Sequence, residues 1–362
     1  MSGRIASIDA LRGFDMFWIT GGEGLIHSLY KALPAPAMAA LDNQFHHVPW
    51  QGFRFYDLIF PLFLFVVGVV LPFSLTRRLE KGANRRELYR HIVQRLLLLF
   101  FLGLVYNGLL DLNFHELRLA GVLQRIALCY FLAAVIVMNT KVRGQALWAG
   151  GILIAYWAIM ALVPVPGVGA HVLTPEGNLS AYLDQRLLPR PYCCYEYGDN
   201  EGILSTLPAL STCLLGVLAG HWLRSNRSPS RKTLGLVMAG VASLLAALLW
   251  NPAFPIIKNI WTSSYVLYAA GWSLLLLALF YWIIDVRGYK RWAFFFTVIG
   301  VNPITIYLVD RFFNFGIISN IFTHGFVRYL GAWQPFVSTV GAVAVGWLFL
   351  YYLFRQKIFL RI

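Results

Sequence analysis

Residues 55–76 read FYDLIFPLFLFVVGVVLPFSLT, and Asp57 is the one formally charged side chain among them. A helix needs about twenty predominantly apolar residues to cross roughly 30 Å of hydrocarbon, so this run is long enough to span a membrane. Comparable apolar runs recur along the chain from Phe14 to Phe354. The pattern therefore predicts a polytopic membrane protein.

The composition of the 362-residue chain supports the same prediction. Hydrophobic residues make up 59% of the sequence and charged residues only 13%, whereas a soluble domain carries roughly 25% charged residues. We expect an all-α fold, a polytopic transmembrane helical bundle of about ten spans that forms one domain over residues 1–362. The predicted spans are 14–33, 55–76, 92–110, 120–139, 146–163, 203–222, 233–250, 263–284, 293–311 and 335–354.

The distribution of charge predicts how the chain is oriented in the membrane. A formal net charge of +14 would favour a nucleic-acid partner in a soluble protein. Most of the 30 lysine and arginine residues, however, lie in short loops on one side of the predicted spans. Because such loops stay in the cytoplasm, we expect cytoplasmic termini, no nucleic-acid partner, and exterior loops at 34–54 and 164–202.

Polar side chains inside the first predicted span are candidates for function. Asp15, Glu23 and His27 share one helical stripe. An ionisable group at membrane depth costs about 2.5–3.5 kcal/mol on insertion scales, so it usually has a role. We expect Glu23 to bind substrate, with a helix-joining Glu23–His27 pair as the alternative, and Asp15 to be structural. Since a cleaved signal peptide has an uninterrupted apolar stretch, we expect this span to be retained.

The block HHVPWQGFRFYDLIFP, residues 46–61, concentrates polar groups on the predicted exterior side. Imidazole has an ordinary pKa of about 6.5 and exchanges protons near neutral pH. A nearby carboxylate can fix its tautomer and stabilise the imidazolium. Residue chemistry alone leaves two interpretations equally open: a catalytic pair of His47 and Asp57, or solvated histidines with Asp57 as a helix cap.

Two further groups of polar residues are candidates. Gln124 and Arg125 lie about one turn inside the fourth predicted span and indicate an inward-facing polar site, although an arginine near a helix end can also snorkel. Glu196, Asp199 and Glu201 fall close together before the sixth span. These acids could attract a cationic amine or favour the N-terminus of the following helix.

Two later segments also combine polar and helix-breaking residues. Residues 258–265 read KNIWTSSY and place Asn259 and Trp261 on the exterior side. Asn302 precedes Pro303 within the ninth span, where a break frees backbone groups that need partners. Kinks of this kind are as often structural as functional.

The four cysteines predict no metal site. Cys129 and Cys213 lie in predicted spans, whereas Cys193 and Cys194 are adjacent in the exterior loop, and no pair has the spacing of a zinc finger. Adjacent cysteines rarely bridge to each other, for geometric reasons. We expect two exposed thiols and no bound metal.

Five blocks spread over most of the chain carry a resemblance to a known family. They are Ser7–Gly13, His47-x-x-Trp50-x-Gly52 with Asp57–Pro61, Gly121–Ile126, Glu201–Leu204, and Lys258-Asn259-x-Trp261-x-x-Ser264-Tyr265. The second and fifth are the specific ones. Together they resemble the transmembrane acetyltransferases typified by lysosomal heparan-alpha-glucosaminide N-acetyltransferase, and a bacterial homologue in particular.

The resemblance implies a function. The family transfers acetyl from cytosolic acetyl-CoA to the amine of a terminal glucosamine on the lumenal side, and its active-site histidine falls on His47. Partners implied are acetyl-CoA, an amino-sugar acceptor and the lipid bilayer, here a bacterial inner membrane. Glu23 stands where the family usually has asparagine, so the acceptor site can differ.

This chemistry predicts a role for each candidate. His47 is the general base, or alternatively an acetyl carrier, and Asp57 orients it. Asn259 or Arg125 donates to the oxyanion, and the arginine-rich 77–95 loop attracts the phosphates of acetyl-CoA. The residues predicted to bind acceptor or donor are Glu23, Trp50, Gln124, Arg125, Asp199, Glu201, Asn259, Trp261 and Asn302.

Two other functions remain open. A permease for amino sugars would move its substrate without acetyl-CoA. A membrane O-acetyltransferase would modify hydroxyl groups of a surface polysaccharide, and the exterior acids would then have no electrostatic purpose. A homodimer is also open, since the aromatic fraction of 16% suits lipid-facing and subunit-facing surfaces alike.

Overall fold

The computed structural model describes residues 5–360, and their regular structure is almost entirely helical. Sixteen α-helices lie within these residues. They are α1 (Ala6–Phe17), α2 (Glu23–Ala32), α3 (Pro36–Gln44), α4 (Ile59–Leu71), α5 (Arg77–Glu80), α6 (Arg85–Tyr106), α7 (Val122–Asn139), α8 (Val142–Leu162), α9 (Leu179–Leu187), α10 (Thr206–Arg224), α11 (Pro229–Trp250), α12 (Ser263–Tyr281), α13 (Phe294–Gly300), α14 (Pro303–Phe312), α15 (Phe315–Val327) and α16 (Gln334–Arg355).

Shorter elements adjoin these helices. Three segments are π-helical, namely Trp18–Gly22, Pro72–Thr76 and Trp282–Val286, and three are 3-10 turns, namely Phe55–Leu58, Leu109–Asp111 and Gly331–Trp333. Strands β1 (Cys194–Tyr195) and β2 (Gly198–Asp199) form a small antiparallel hairpin. In the part of the chain that the structure describes, the sheet is therefore confined to one loop.

Within residues 5–360, eight helical segments are long and apolar enough to cross a membrane, and the pair α13–α14 makes a ninth if it counts as one span. The eight are Phe55–Glu80, Arg85–Tyr106, Val122–Asn139, Val142–Leu162, Thr206–Arg224, Pro229–Trp250, Ser263–Val286 and Gly331–Arg355. Each overlaps a predicted span, and the largest shift is that of Arg85–Tyr106 from the predicted 92–110. The prediction of an all-α, multi-pass membrane protein is confirmed.

The two remaining predicted spans differ in form. The first helical region begins at Ala6 rather than at residue 14, and it is broken at Thr20 and Gly21, where Gly21 has a φ of 132°. Its polar side chains lower its mean hydropathy, so it is not among the eight apolar segments. The predicted 293–311 span bends by 75° between α13 and α14. The expected break at Asn302–Pro303 is confirmed.

By internal packing the described chain divides into two compact units, of which the first comprises residues 5–48, 54–63 and 276–360. In this unit α1 packs along α13. Phe14 and Phe17 both contact the ring of Phe296, with ring centroids 5.6 and 6.0 Å apart. Helix α16 packs on α15 and on α2. This unit contains both His47 and Asp57.

The second unit comprises residues 49–53 and 64–275. Helix α10 packs on α7 and α8, and α6 packs on α7. The 164–202 loop carries α9 and the β1–β2 hairpin, and Leu179 joins it to a buried cluster that includes Tyr156, Phe254 and Ile260. The loop is therefore anchored to its own unit by apolar contacts.

The expectation of two exposed thiols at Cys193 and Cys194 is wrong, because their sulfur atoms are bonded. Successive side chains of an extended strand point to opposite faces, but Cys194 has a φ of 80°. This left-handed backbone departs from the extended form and allows the adjacent sulfurs to meet. Cys129 and Cys213 are buried free thiols, as expected.

Candidate active site

His47 and Asp57 form a hydrogen-bonded pair in the first unit. Nδ1 of His47 lies 2.8 Å from Oδ1 of Asp57. Asp57 is fully buried, whereas the His47 side chain is 45% exposed. Because a carboxylate accepts, Nδ1 is the donor, and the neutral ring then carries its lone pair on Nε2. The structure thus brings together the two residues predicted to be catalytic.

Backbone groups hold the Asp57 carboxylate in place. Its Oδ2 accepts the N–H of Arg54 at 3.0 Å and that of Val48 at 3.4 Å. Asp57 lies in the 3-10 turn Phe55–Leu58, which Arg54 precedes as the N-cap residue. Nη1 of Arg54 also donates to the carbonyl oxygen of His47 at 3.1 Å. Asp57 therefore serves as a cap and as the histidine partner at once.

Tyr56 connects His47 to Glu23. The rings of Tyr56 and His47 are 4.8 Å apart with an interplanar angle of 32°. The Tyr56 hydroxyl hydrogen-bonds the carboxylate of Glu23. Tyr56 therefore lies between the side chains of Glu23 and His47. Sequence reasoning missed Tyr56, although its position next to Asp57 in the 46–61 block is a usable signal.

The break in the first helix determines where Glu23 lies. The π-helical Trp18–Gly22 ends immediately before Glu23, which is the first residue of α2. One turn later, Nδ1 of His27 lies 2.6 Å from Oδ1 of Asp42. The structure therefore pairs His27 with Asp42 instead of forming the alternative Glu23–His27 pair.

In the second unit, the rest of the H-x-x-W-x-G block pairs with the segment that precedes α12. Gln51 forms an antiparallel bridge with Ile257, and the N–H of Gly52 donates to the carbonyl oxygen of Ile256 at 2.9 Å. Gly52 has a φ of 122°, which side chains with a Cβ rarely tolerate. The H-x-x-W-x-G block is thus hydrogen-bonded to the two residues that immediately precede the Lys258–Tyr265 block.

Trp50 is held by the 164–202 loop. Its Nε1 donates to the carbonyl oxygen of Leu173 at 2.8 Å, and its ring lies 5.3 Å from that of Tyr195. The indole N–H of Trp50, a residue predicted to bind substrate, is therefore engaged within the protein. An aromatic face remains the chemistry that Trp50 can offer to a sugar.

Arg125 is buried in the second unit with an aromatic partner. Its side chain is 1% exposed, its Nη2 donates to Ser205 Oγ at 2.5 Å, and its guanidinium lies 4.9 Å from the ring of Trp261. Within the described residues, Nε and Nη1 of Arg125 and both amide atoms of Gln124 have no hydrogen-bond partner. Both side chains are therefore buried polar groups, and their predicted role in binding stays a prediction.

Trp261 shows that this region is constrained. Its backbone has a φ of 52°, a left-handed conformation that costs a bulky residue roughly 1–3 kcal/mol. Its Nε1 donates to Thr212 Oγ1 at 3.2 Å. The strained backbone sets the indole against Arg125, an arrangement typical of sites where orientation matters.

Asp199 and Glu201 are not isolated acids. Arg118 donates to both oxygens of Asp199, at 2.7 Å from Nε and 2.5 Å from Nη2, and also donates to Glu201. Burial by itself would raise the pKa of Asp199, but the hydrogen bonds and charge of Arg118 lower it. Sequence reasoning missed Arg118, which offsets the expected attraction of these acids for an amine.

Asp184, on α9, is a further buried acid that sequence reasoning missed. Burial raises its pKa to about 6, against the opposing effect of backbone N–H groups of Ile203 and Asp199, which it accepts at 3.0 and 3.3 Å. It fixes the turn around Gly202. Its location in a helix of the 164–202 loop carried no motif signal.

The two asparagine candidates have different surroundings. Asn259 is buried in the second unit, next to Lys258. Asn302 lies in the first unit, where its Nδ2 donates to the carbonyl oxygen of Ile358 at 3.0 Å and its Oδ1 accepts the N–H of Leu360 at 3.1 Å. The Asn302 amide therefore holds the segment around residues 358–360, and its predicted contact with substrate stays a prediction.

Fold and site together define a multi-pass helical membrane protein with a histidine–aspartate pair at the start of a membrane-spanning segment. The protein-family model for the catalytic region of heparan-alpha-glucosaminide N-acetyltransferase matches residues 4–252. This chain belongs to that family, which consists of transmembrane acetyltransferases. The matched region includes His47 and Asp57, whereas Asn259, Trp261 and Asn302 lie beyond it.

Two mammalian relatives extend the similarity. The chain is 26% identical over 377 residues to mouse heparan-alpha-glucosaminide N-acetyltransferase and 28% identical over 375 residues to the human protein. Both alignments cover 88% of this chain and 56% of the relative. The chain thus spans about half the length of the curated relatives it matches.

Proposed function

We propose that this chain is an acyltransferase that moves acetyl from cytosolic acetyl-CoA to the amine of a glucosamine-type sugar on the exterior side of a bacterial inner membrane. The observation that carries the proposal is the His47–Asp57 pair, with Nδ1 and Oδ1 2.8 Å apart and the imidazole 45% exposed. An exposed imidazole with a buried carboxylate behind it is the arrangement that proton transfer to a substrate requires.

In direct transfer, Nε2 of His47 takes a proton from the acceptor amine as the amine nitrogen attacks the thioester carbonyl carbon. A C–N bond forms, and the carbonyl oxygen takes the negative charge. When the C–S bond breaks, the CoA thiolate leaves and takes the proton from His47. Asp57 stabilises the imidazolium in between, because Nδ1–H donates to its carboxylate.

In the alternative route, His47 is an acetyl carrier. Nε2 attacks the thioester carbon, the C–S bond breaks, and the thiolate leaves with the acetyl group held on the imidazole. The amine nitrogen then attacks the acetyl carbon, the bond from that carbon to Nε2 breaks, and the proton lost by the amine passes to solvent. Asp57 supports this route in the same way, since the acetylated ring is also cationic while Nδ1 keeps its proton. The two routes differ in whether a labelled enzyme forms before acceptor is added.

The proposed binding roles follow the chemistry of each group. Glu23, next to Tyr56, offers a negative charge to an amine, and Arg125 keeps Nε and Nη1 available to donate to an oxyanion. Asn259 is the alternative oxyanion donor. The basic 77–95 segment supplies positive charge for the phosphates of acetyl-CoA.

The proposed orientation rests on two independent properties of the chain. The basic loops favour cytoplasmic termini and an exterior 164–202 loop. The bond between Cys193 and Cys194 in that same loop suits an oxidising compartment, since cytosolic thiols are usually kept reduced. Both properties support an acceptor site on the periplasmic side.

The test is transfer of radiolabelled acetyl from acetyl-CoA to glucosamine by protein purified in detergent. Wild type is compared with His47→Ala and with His115→Ala, a matched change of an exposed histidine in another loop. We expect transfer by wild type and His115→Ala, and at least a thousandfold loss in His47→Ala, at the larger end of what a general base contributes (about 10²–10⁴). Full activity in His47→Ala would refute the assignment of the base.

A second arm separates an enzyme from a permease. Vesicles reconstituted with wild-type protein are loaded with labelled glucosamine in the absence of acetyl-CoA. Release of label without acetylation, together with no transfer in detergent, would replace the enzyme by an amino-sugar permease. Labelled protein formed from acetyl-CoA alone, and absent in His47→Ala, would establish the carrier route.

O-acetylation is a second candidate, favoured by one observation. Arg118 pairs with Asp199 and Glu201, so these acids have a structural purpose that does not require an amine. An acceptor panel decides the matter: glucosamine offers an amine, whereas N-acetylglucosamine offers only hydroxyl groups. Acetylation of the second sugar at a comparable rate would favour the O-acetyltransferase.

A further inference from the structure

Three side chains that can ligate a metal meet in the first unit, beside the segment that leads to His47. His27 lies on α2, Asp42 lies on α3, and His46 follows α3 one turn after Asp42. Nδ1 of His27 is 2.6 Å from Asp42 Oδ1, and Nε2 of His46 is 3.1 Å from Asp42 Oδ2. One carboxylate thus lies between two imidazole nitrogens, and one ligand atom from each side chain lies within 4.8 Å of the others.

We propose that His27, Asp42 and His46 form a binding site for one divalent transition-metal ion of the zinc type. This departs from the sequence expectation of no metal, which considered cysteine spacing alone. The three ligands come from positions 27, 42 and 46, and only the last two have a recognisable helical spacing. The site is separate from the proposed acetyl-transfer chemistry.

The donor set determines which ions fit. Two imidazole nitrogens and one carboxylate oxygen suit zinc, copper or nickel. Calcium and magnesium prefer oxygen ligands throughout, so this set disfavours them. The carboxylate leaves the site with a net charge of +1 around a divalent ion. A three-ligand site also keeps a fourth position for water.

The ring protons of His27 and His46 can move to the other ring nitrogen without changing the net charge of the site. Each imidazole now directs toward Asp42 the nitrogen that would bind the ion. A neutral imidazole carries one proton on either nitrogen. When the ion replaces these hydrogen bonds, the proton of each ring moves to its other nitrogen, and both side chains remain neutral ligands.

Only small movements are needed to close the site. With ligand bonds of about 2.0–2.1 Å, tetrahedral ligands lie about 3.4 Å apart, compared with at most 4.8 Å here. The imidazole rings of His27 and His46 already face each other, with centroids 4.4 Å apart. The His46 side chain is 55% exposed, so it can rotate toward an ion.

Metal binding would tie α2 to the chain that carries the candidate base. His46 directly precedes His47, and His27 follows Glu23 by one turn of α2. An ion held by both histidines would therefore restrain the two segments from which His47 and Glu23 project. The expected consequence is a rise in thermal stability when zinc is added.

The test measures metal content and binding, not acetyl transfer. Tag-free protein in detergent is stripped with a chelator and dialysed against limiting zinc, and bound zinc is counted by elemental analysis. A titration with cobalt(II), followed by its visible absorption, gives affinity and ligand geometry. Variants are His46→Ala, His27→Ala and the control His115→Ala, an exposed histidine outside the cluster.

We expect one equivalent of zinc in wild type and His115→Ala, a tetrahedral cobalt spectrum, and affinity at least about tenfold weaker in both cluster variants. Because His46 is half-exposed, His46→Ala should fold, and its metal-free melting temperature checks this. Wild type that binds no more zinc than a His27→Ala/His46→Ala double variant would overturn the site. A loss of zinc affinity in His115→Ala equal to that in the cluster variants would also overturn the site. These outcomes hold whether or not the chain proves to be an acetyltransferase.

Discussion

Asp57 and Asp199 are both buried aspartates whose carboxylates accept two backbone N–H groups, yet their basic partners differ. Asp57 accepts from Arg54 and Val48 and pairs with His47. Asp199 accepts from Cys193 and Glu201 and pairs with Arg118. An imidazole exchanges its proton near neutral pH, whereas a guanidinium stays charged. The same carboxylate environment is therefore proposed to support proton transfer at Asp57, whereas at Asp199 it holds a loop through an ion pair.

The change Asp57→Asn should have the largest effect on activity. The introduced amide can still cap the turn through its oxygen, but its NH₂ group faces Nδ1 of His47 as a donor and favours the tautomer with the proton on Nε2. That tautomer is not a base toward substrate, and we expect a fall of about 10³-fold in kcat. The steady-state rate and melting temperature of the variant are measured together.

The matched control for this change is Asp111→Asn, an exposed aspartate of another loop, which should retain full activity. If Asp57→Asn lowered the melting temperature but left kcat per folded molecule unchanged, Asp57 would have a structural role like that of Asp199, and the proposed contrast between the two aspartates would be wrong.

Asp199→Asn should act on stability instead. Removing one partner of a buried ion pair lowers the free energy of unfolding by about 3 kcal/mol. In Asp199→Asn, the charge of Arg118 would be compensated only by Glu201. The measurement is the shift in thermal unfolding, with Glu196→Gln as the control because Glu196 is an exposed acid of the same cluster. A large loss of kcat with unchanged stability would show that Asp199 also serves catalysis.

The pH dependence of loop stability sharpens the comparison further. The pKa of Asp184 is raised from its ordinary 3.8 to about 6, so the folded loop holds that proton more tightly than the unfolded loop. This contribution is complete below pH 3.8 and is lost as the pH rises to about 6. The lowered pKa of Asp199 acts in the opposite sense, and its contribution is lost as the pH falls below 3.8.

We therefore expect wild type to lose stability relative to Asp184→Asn between about pH 4 and pH 6, a shift of a few degrees in melting temperature. The two proteins are compared by tryptophan fluorescence across this range. A difference that is flat, or that grows with pH, would contradict the assignment of the buried proton to Asp184.

The smallest effect is expected for Tyr56→Phe. The change keeps the ring beside His47 but removes the hydroxyl that hydrogen-bonds Glu23. One such hydrogen bond is worth about 1 kcal/mol, so KM for the amine should change about fivefold with kcat nearly constant. If kcat fell as far as in Asp57→Asn, Tyr56 would have a direct part in proton transfer.

The sequence predicted the His47–Asp57 pair because the two residues lie ten positions apart in one block. Because a carboxylate that caps the start of a helix has a restricted orientation, a histidine close in sequence can readily hydrogen-bond it. The eight apolar spans were equally predictable, since membrane thickness sets their length.

Long-range pairs were not predictable in the same way. Arg118 lies 81 residues before Asp199, and nothing in a single sequence distinguishes it from the other arginines. Nor does the sequence reveal that the Asn302 amide hydrogen-bonds backbone groups of Ile358 and Leu360, more than fifty residues away, so its predicted contact with substrate stays a prediction. The joined sulfurs of Cys193 and Cys194 depend on a backbone conformation that adjacency alone does not reveal.

The pairing of Gln51 with Ile257 and of Gly52 with Ile256 has a consequence for biogenesis. The two partners are separated by most of the second unit, so this pairing cannot form until translation has passed residue 257. The loop that follows His47 and Val48 is thus completed late, after the early spans have been inserted. A nascent chain arrested before residue 257 would contain the region matched by the family, residues 4–252, but would lack the backbone pairing of Gln51 and Gly52 with Ile257 and Ile256.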